Sequence, residues 1–169
     1  MFGKEAPLDL HALAARLEEV EAIQAIGNLK AHYCWLLDAR RPAEAGALFT
    51  EDGVWDGGEM FGRHEGREAV SRFFVDVQRD GLPFSLHGVL TPFIERRSPT
   101  EAFGRWHLNM PCTFREAGGD RAVWGGGWYE DDFVKGADGV WRAREMRLTS
   151  HYWTPFDRGW VVEQFVGAR

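Results

Sequence analysis

The sequence predicts an α+β fold in which helices come first and a curved antiparallel sheet follows. In the first half of the chain, apolar residues recur at steps of three and four, which is typical of amphipathic helices. The second half contains four long segments of alternating character, separated by turns rich in Gly, Pro and Asp. Helices followed by a meander of strands indicate the α+β class, in which the helices cover one side of the sheet.

The helical half begins with a long helix over residues 9–41, which Gly27 in its middle could divide into two. Asp9 is a candidate N-cap, and Pro42 ends the helix because proline disfavours helix in the residue before it. The remaining elements of this half are, in order, a short helix over 42–49, a strand beginning at Val54-Trp55 and a helix over 67–79.

The sheet half contains four predicted strands, over residues 84–95, 101–114, 121–134 and 140–153. A sheet that wraps around the helices must curve strongly, and Gly125-Gly126-Gly127 inside the third strand is a suitable place for the bulges this requires. Such a sheet would leave a conical pocket. We expect one domain over residues 1–169, whose apolar tail (residues 154–169) closes on the pocket or the sheet.

Composition argues against several classes of function. The 169 residues carry a net charge of −6 with scattered arginines, which disfavours a nucleic-acid surface. No apolar stretch approaches the ~20 residues of a membrane helix. Cys34 and Cys112 are too few and too far apart for a disulfide framework, so a reducing cytoplasm is the expected location. Motifs for dinucleotides, phosphate loops, zinc and serine hydrolases are missing, and we expect neither a cofactor nor a metal.

Aromatic residues are in excess, with 8 Trp, 12 Phe and 3 Tyr. Either the core is unusually aromatic, or some rings line a cavity for a flat apolar ligand. Alternation along the second predicted strand places Trp106, Leu108 and Met110 towards the cavity and His107 on the outer side. Trp124 and Trp128 share a face of the third strand and are either cavity wall or core. The candidate substrate-binding residues are Trp55, Trp106, Leu108, Met110, Trp124, Trp128, Met146, Leu148 and Trp153.

Asp38 and His87 form the candidate catalytic pair. Asp38 lies in an apolar stretch near the end of the long helix, and a buried carboxylate there would require a partner. His87, in the first strand of the meander, is the natural one, because a carboxylate on one ring nitrogen orients the other as a general base. The alternatives are a solvent-facing aspartate and a core histidine. Tyr33 lies five residues before Asp38, about 140° around the helix, so both point inward only if the helix end unwinds.

An arginine in the last strand is the candidate for stabilising negative charge. The face that carries Arg144, Met146 and Leu148 becomes apolar along its length, so we expect it to line the pocket with Arg144 pointing inward. A guanidinium there could hold a carbonyl, phenolate or leaving oxygen. Arg147 is the alternative, because one bulge would exchange the two faces.

An ordered set of segments resembles the SnoaL-like proteins. The segments are AIGNLKAHYCWLLD ending at Asp38, ALFTEDGVW ending at Trp55 and GREAV beginning at Gly66, followed by GRWHL, WYEDD and DGVWR in the second half. The resemblance covers roughly residues 15–155. It implies the NTF2-like cone, a curved sheet around N-terminal helices with a central pocket, and a relationship to scytalone dehydratase, bile-acid 7α-dehydratase and hexachlorocyclohexane dehydrochlorinase.

The resemblance also implies roles for individual residues. Asp38 matches the aspartate near the end of the first long helix, His87 the histidine it orients, and Tyr33 the tyrosine of the dehydratases; Arg144 or Arg147 matches an arginine in the last strand of some relatives. Where scytalone dehydratase has a second catalytic histidine, this chain offers Met110 or Cys112, which argues against the same reaction. Proteins of this fold commonly associate through the sheet, so a homodimer or homotrimer is expected, with His107 near the contact.

Together these observations predict a cofactor-independent lyase. His87 would remove a proton, Tyr33 would donate to the leaving or carbonyl oxygen, and Arg144 would stabilise negative charge. The products would be water or a small carbonyl such as formaldehyde, eliminated from a small aromatic or polycyclic substrate. The alternatives are an isomerase or cyclase of polyketide or steroid type, which leaves the mass unchanged, and a non-catalytic ligand-binding module. The last of these predicts that Asp38 and His87 are not within hydrogen-bond reach of each other.

Overall fold

The computed structural model describes residues 9–166. The helices are α1 (Leu10–Asp38), α2 (Pro42–Gly46), α3 (Gly58–Phe61) and α4 (Arg67–Asp76), and a π-helical turn over Val77–Gly81 follows α4. The strands are β1 (Phe49–Asp56), β2 (Arg63–Glu65), β3 (Phe84–Ser85), β4 (Gly88–Arg96), β5 (Glu101–Glu116), β6 (Gly119–Lys135) and β7 (Trp141–Pro155). No helix within the described range is long and apolar enough to cross a membrane.

The strands form one seven-stranded sheet in the order β2-β1-β7-β6-β5-β3, in which β4 also pairs with β5. β1 runs parallel to β7, and the other neighbouring pairs are antiparallel. The sheet is curved and does not close, and α1 packs against β4 and β7. The predicted α+β class, with a curved sheet packed against N-terminal helices, is therefore confirmed.

Helix α1 is a single helix that passes through Gly27 without interruption. Its buried side begins at Ala22 and includes Ile26, Tyr33 and Leu36, which face the sheet. The apolar residues of its first three turns are exposed instead, namely Leu10, Leu13, Leu17 and Val20. The periodicity therefore predicted the helix correctly, although only its second half packs on the core.

The first strand of the meander, predicted as continuous over 84–95, is divided into β3 and β4, and His87 lies between them. Leu86 N donates to Pro111 O at 3.0 Å, but Pro111 has no N–H to return the bond. The ladder therefore stops opposite this proline, and it resumes where Gly88 pairs with Asn109. This break frees the backbone of His87 for another partner.

Two β-bulges in β7 curve the sheet. The first skips Arg144, because Asp132 and Phe133 of β6 pair with Glu145 and Ala143. The second skips His151, beside the glycine run of β6. A Cβ on Gly127 would lie 2.0 Å from Thr149 O, so only glycine fits at that point. Each bulge moves one residue of β7 out of the alternation.

Candidate active site

Asp38 is the last residue of α1, and three hydrogen bonds hold its carboxylate. Ser85 Oγ donates to Oδ1 at 3.1 Å, His87 N donates to Oδ2 at 2.8 Å, and His87 Nδ1 contacts Oδ1 at 2.6 Å. A carboxylate at the C-terminus of a helix faces the negative end of the helix dipole and gains nothing from it. The donors from the segment Ser85–His87 therefore hold the negative charge in place.

The contact with Asp38 defines the proton arrangement of His87. A carboxylate accepts hydrogen bonds, so Nδ1 is the ring nitrogen that donates to Asp38, and Nε2 is the nitrogen left to take up a proton. Within residues 9–166, Nε2 makes no hydrogen bond. The side chains of His87 and Asp38 are 7% and 17% exposed, so both are largely buried but remain in contact with solvent. Chemically, a ring held in this way by a carboxylate can serve as a general base through its second nitrogen.

Tyr33 lies in the core and makes no hydrogen bond to Asp38 or His87. Its hydroxyl accepts a hydrogen bond from Trp55 Nε1 at 2.9 Å. Burial raises the pKa of Tyr33 well above its ordinary value, with a smaller contribution from the neighbouring Cys34. The phenol therefore keeps its proton at neutral pH and can still donate it while the oxygen accepts from Trp55.

A second polar pair, Lys30 and Asp131, was missed by the sequence reasoning. Lys30 Nζ lies 2.7 Å from Asp131 Oδ2, and neither side chain is exposed to solvent. The ammonium group also lies 3.3 Å from the centre of the Tyr129 ring. Asp131 Oδ1 has no hydrogen-bond partner among the described residues. Burial raises the pKa of Asp131 to about 6, and the attraction of Lys30 offsets this only in part.

The sequence carried a signal for this second pair. Lys30 lies four residues after the buried Ile26 and three before Tyr33, on the buried stripe of α1. Asp131 alternates with Tyr129 and Phe133 on the apolar face of β6. Two opposite charges, each on the buried face of its own element, indicate a buried ion pair.

Arg144 does not point into the interior, and that expectation is wrong. The bulge at Arg144 puts its side chain outside, where Nη1 donates to Glu101 Oε1 at 3.0 Å. Arg147 is also on the outer side and donates to Glu145 Oε1 at 2.7 Å. The bulge leaves Ala143, Met146 and Leu148 as the buried, inward positions of β7. Simple alternation across the bulge had placed Arg144 and Met146 on one face.

The candidate substrate-binding residues divide between the two faces of the sheet. The inward, buried members are Trp55, Trp106, Leu108, Met110, Met146, Leu148 and Trp153. Trp124 and Trp128 lie on the outer face, so their assignment to the pocket is wrong. The register explains this, because β5 and β6 pair His107 with Trp128 and Pro111 with Trp124. Residues paired across two strands share a face, and His107 is on the outer one.

The inward rings pack on one another. Trp153 lies 5.1 Å from Phe61 and 5.7 Å from Phe114, centre to centre. Trp55 lies 4.7 Å from Phe73. Much of the aromatic excess therefore fills the core.

A groove of about 650 Å³ lies at the edge of β7, between α3 and the tail. Its lining includes Met60, Leu148, Phe165 and Val166, and neither Asp38 nor His87 borders it. The tail reaches this edge because Phe165 forms a bridge with Trp153, and Trp153 N donates to Gln164 O at 3.0 Å. The proposed catalytic pair and this groove are therefore separate features.

Comparison with known proteins identifies the architecture. Residues 18–147 match the family described as SnoaL-like domain. The hexachlorocyclohexane dehydrochlorinase LinA type 3 from Novosphingobium barchaimii is similar at 18% identity, over 83% of this chain and 94% of that one, with a TM-score of 0.73. A candidate scytalone dehydratase from Novosphingobium aromaticivorans is 23% identical over 89% and 96%, with a TM-score of 0.68. A variant of Rv3472 from Mycobacterium tuberculosis, a protein of unknown function, is 25% identical over 79% of each chain, with a TM-score of 0.65.

Proposed function

The chain belongs to the SnoaL-like family, and we propose that it is a cofactor-independent lyase in which His87 is the general base and Asp38 orients it. The observation that carries the proposal is the 2.6 Å contact between His87 Nδ1 and Asp38 Oδ1. In a base, this contact would hold the ring in place and stabilise the imidazolium that forms, whereas the alternative of a non-catalytic module predicts no such contact.

The proposed step begins when Nε2 takes a proton from carbon. The electron pair of the C–H bond forms a double bond, and a hydroxyl on the neighbouring carbon leaves. Arg144 and Arg147 lie outside, so neither guanidinium can stabilise a departing hydroxide ion. The hydroxyl must therefore take a proton as it leaves, so that it departs as water. The new imidazolium of His87 can return the proton, and Tyr33 is the proposed second donor, because its hydroxyl accepts from Trp55 and keeps its own proton.

Loss of a small carbonyl uses the same base. If His87 instead takes the proton of a hydroxyl, the C–C bond breaks, formaldehyde or a related carbonyl leaves, and the electron pair remains on the substrate carbon until it is protonated. A small aromatic or polycyclic substrate is proposed from the aromatic excess of the chain and from its similarity to the SnoaL-like family. The similar proteins include one named for dehydrochlorination and one considered a scytalone dehydratase.

Mass analysis of the product tests the proposed reaction. The protein would be incubated with a panel of aryl compounds that carry either a β-hydroxy ketone or a hydroxymethyl group. Loss of water or of formaldehyde supports the lyase. A product of unchanged mass indicates the isomerase or cyclase instead, and binding without conversion indicates a ligand-binding module. Both of these outcomes contradict the proposal.

We further propose that the outer face of the sheet joins copies of this chain into a dimer or trimer. Leu90, Phe93 and Trp160 are about half exposed there, near His107 and Trp128. Such a face suits a self-complementary contact better than open solvent. Light scattering at micromolar concentration checks this, and a mass near 19.2 kDa would contradict it.

The free thiols of Cys34 and Cys112 support the proposed location in a reducing compartment.

A further inference from the structure

Helix α1 ends after Asp38 in a turn that places Arg40 in the left-handed region, at φ 62°. Arg41 N donates to Leu36 O at 2.8 Å and Arg40 N donates to Leu37 O at 3.1 Å, which are the two hydrogen bonds of a Schellman motif. Glycine is the usual residue at this position because a Cβ disfavours the conformation. Arg40 therefore occupies a backbone position that glycine would hold at lower cost.

The side chain of Arg40 reaches the segment that leads to His87. Its Nη2 donates to Gln78 O at 2.6 Å and its Nη1 donates to Leu82 O at 2.7 Å. These two carbonyls belong to the π-helical turn over Val77–Gly81 and the residue that follows it. In return, the buried Gln78 donates from Nε2 to Leu37 O at 2.6 Å. Three hydrogen bonds therefore join the end of α1 to this turn.

We propose that Arg40 and Gln78 form a clamp that positions His87 on Asp38. Asp38 lies within the clamped end of α1, and the clamped turn continues through Pro83 to Ser85 and His87, which both donate to the Asp38 carboxylate. The clamp sets the distance between the end of α1 and the segment that leads to His87. At this distance the Asp38 carboxylate is within hydrogen-bond reach of the His87 ring. This inference rests on the proposed function, since it assigns a positioning role at the same pair.

Two features of the clamp are unusual for a purely structural contact. Left-handed conformations at residues other than glycine concentrate at functional sites, where the surrounding structure has to maintain them. Single π-helical turns are also frequent at functional sites. Here both features are joined by the same guanidinium. If Arg40 served only to end the helix, glycine at this position would do so with less strain.

Arg41 provides a matched control. It is the next residue in the chain, but its guanidinium pairs with Glu44 and lies 5.4 Å from the centre of the Trp35 ring, and it makes no contact with Gln78 or Leu82. An Arg41→Gly variant therefore removes the same side chain without breaking the clamp. Arg40→Gly removes the two contacts to Gln78 O and Leu82 O and relieves the backbone strain.

Proton NMR of the full chain tests the clamp without a substrate. The proton on His87 Nδ1, held by Asp38, should give a low-field signal, which is assigned by its loss in His87→Gln. We expect this signal to be lost or broadened in Arg40→Gly and retained in Arg41→Gly, while the melting temperatures of the two variants agree within about 4 °C. Millimolar guanidinium should restore the signal in Arg40→Gly only.

The other outcomes overturn the clamp. A wild-type signal in folded Arg40→Gly shows that His87 is positioned without it, and a signal that is lost only in step with global unfolding shows that Arg40 is purely structural. If Arg40→Gly does not fold, Arg40→Lys tests whether Arg40 positions His87. The lysine ammonium cannot span both carbonyls, so the signal of His87 should be weaker in this variant. In an active enzyme the clamp predicts a fall in kcat of up to about a hundredfold in Arg40→Gly. If no activity is found, the NMR comparison still shows whether Arg40 positions His87 on Asp38.

Discussion

Helix α1 contributes one residue to each of two polar pairs, and the two pairs differ in their exposure to solvent and in the hydrogen bonds that their side chains make. We call Asp38–His87 the site pair and Lys30–Asp131 the core pair. Their contacts are nearly equal, at 2.6 Å and 2.7 Å. In the core pair both side chains are fully buried, and three aromatic rings lie around the ammonium group. In the site pair the imidazole keeps a free nitrogen near the surface.

The difference shows that a perturbed pKa by itself does not mark a catalytic group. Asp131 has its pKa raised to about 6, yet it lies in the core pair, whose two side chains are not exposed to solvent. The site pair is distinguished instead by an oriented ring whose second nitrogen is unused. Structural ion pairs also shift pKa values, so accessibility has to be considered together with the shift.

Breaking the core pair should have the largest effect on stability. Lys30→Met leaves Asp131 as an uncompensated buried charge, which should lower the free energy of unfolding by about 3–5 kcal/mol. The double variant Lys30→Met/Asp131→Leu removes both charges and should recover most of this loss. Urea unfolding of the three proteins measures both effects. A single variant as stable as the wild type would show that the pair contributes nothing.

The core pair should also give stability a characteristic pH dependence. The pKa of Asp131 is raised from 3.8 to about 6, so the folded state holds this proton more tightly than the unfolded state does. The contribution of Asp131 to stability is therefore highest below pH 4 and is lost as the pH rises to about 6, on the order of 3 kcal/mol in total. Subtracting the pH profile of the double variant from that of the wild type isolates this contribution. A difference that does not change with pH would contradict it.

Within the site pair, Ser85 should have a smaller effect. Ser85→Ala removes one of the three donors to Asp38 and should lower the free energy of unfolding by about 1 kcal/mol, because the two donors from His87 remain. Ser85→Thr keeps the hydroxyl and serves as the control. Equal losses in the two variants would mean that packing around Ser85 matters and its hydrogen bond does not.

Much of the fold could be predicted from local pattern. The three- and four-residue periodicity indicated α1, the turns separated the long strands, and the apolar setting of Asp38 pointed to a partner such as His87. These signals depend on neighbours in sequence or on a simple alternation. The hydrogen bond between Asp38 and His87 is observed, whereas their catalytic role stays a prediction.

The features that escaped prediction depend on contacts between strands. The bulge at Arg144 turned this residue outward while Met146 and Leu148 stayed inward, and no local signal marks which residue a ladder will skip. Trp124 and Trp128 were placed in the pocket although the register with His107 puts them outside. The break in the strand before Gly88 arises because Leu86 lies opposite Pro111, which has no N–H to donate. Pro111 is distant in sequence, so the break could not be predicted from the residues around His87.

The central claim is that His87, oriented by Asp38, is the base. The most direct test is kcat/KM for the panel compound that the wild type converts, measured for His87→Gln, Asp38→Asn and the control His107→Gln, whose histidine lies on the outer face against Thr91. We predict a fall of about 10²- to 10⁴-fold in the first two variants and an unchanged value in the control. A wild-type rate in His87→Gln would contradict the claim.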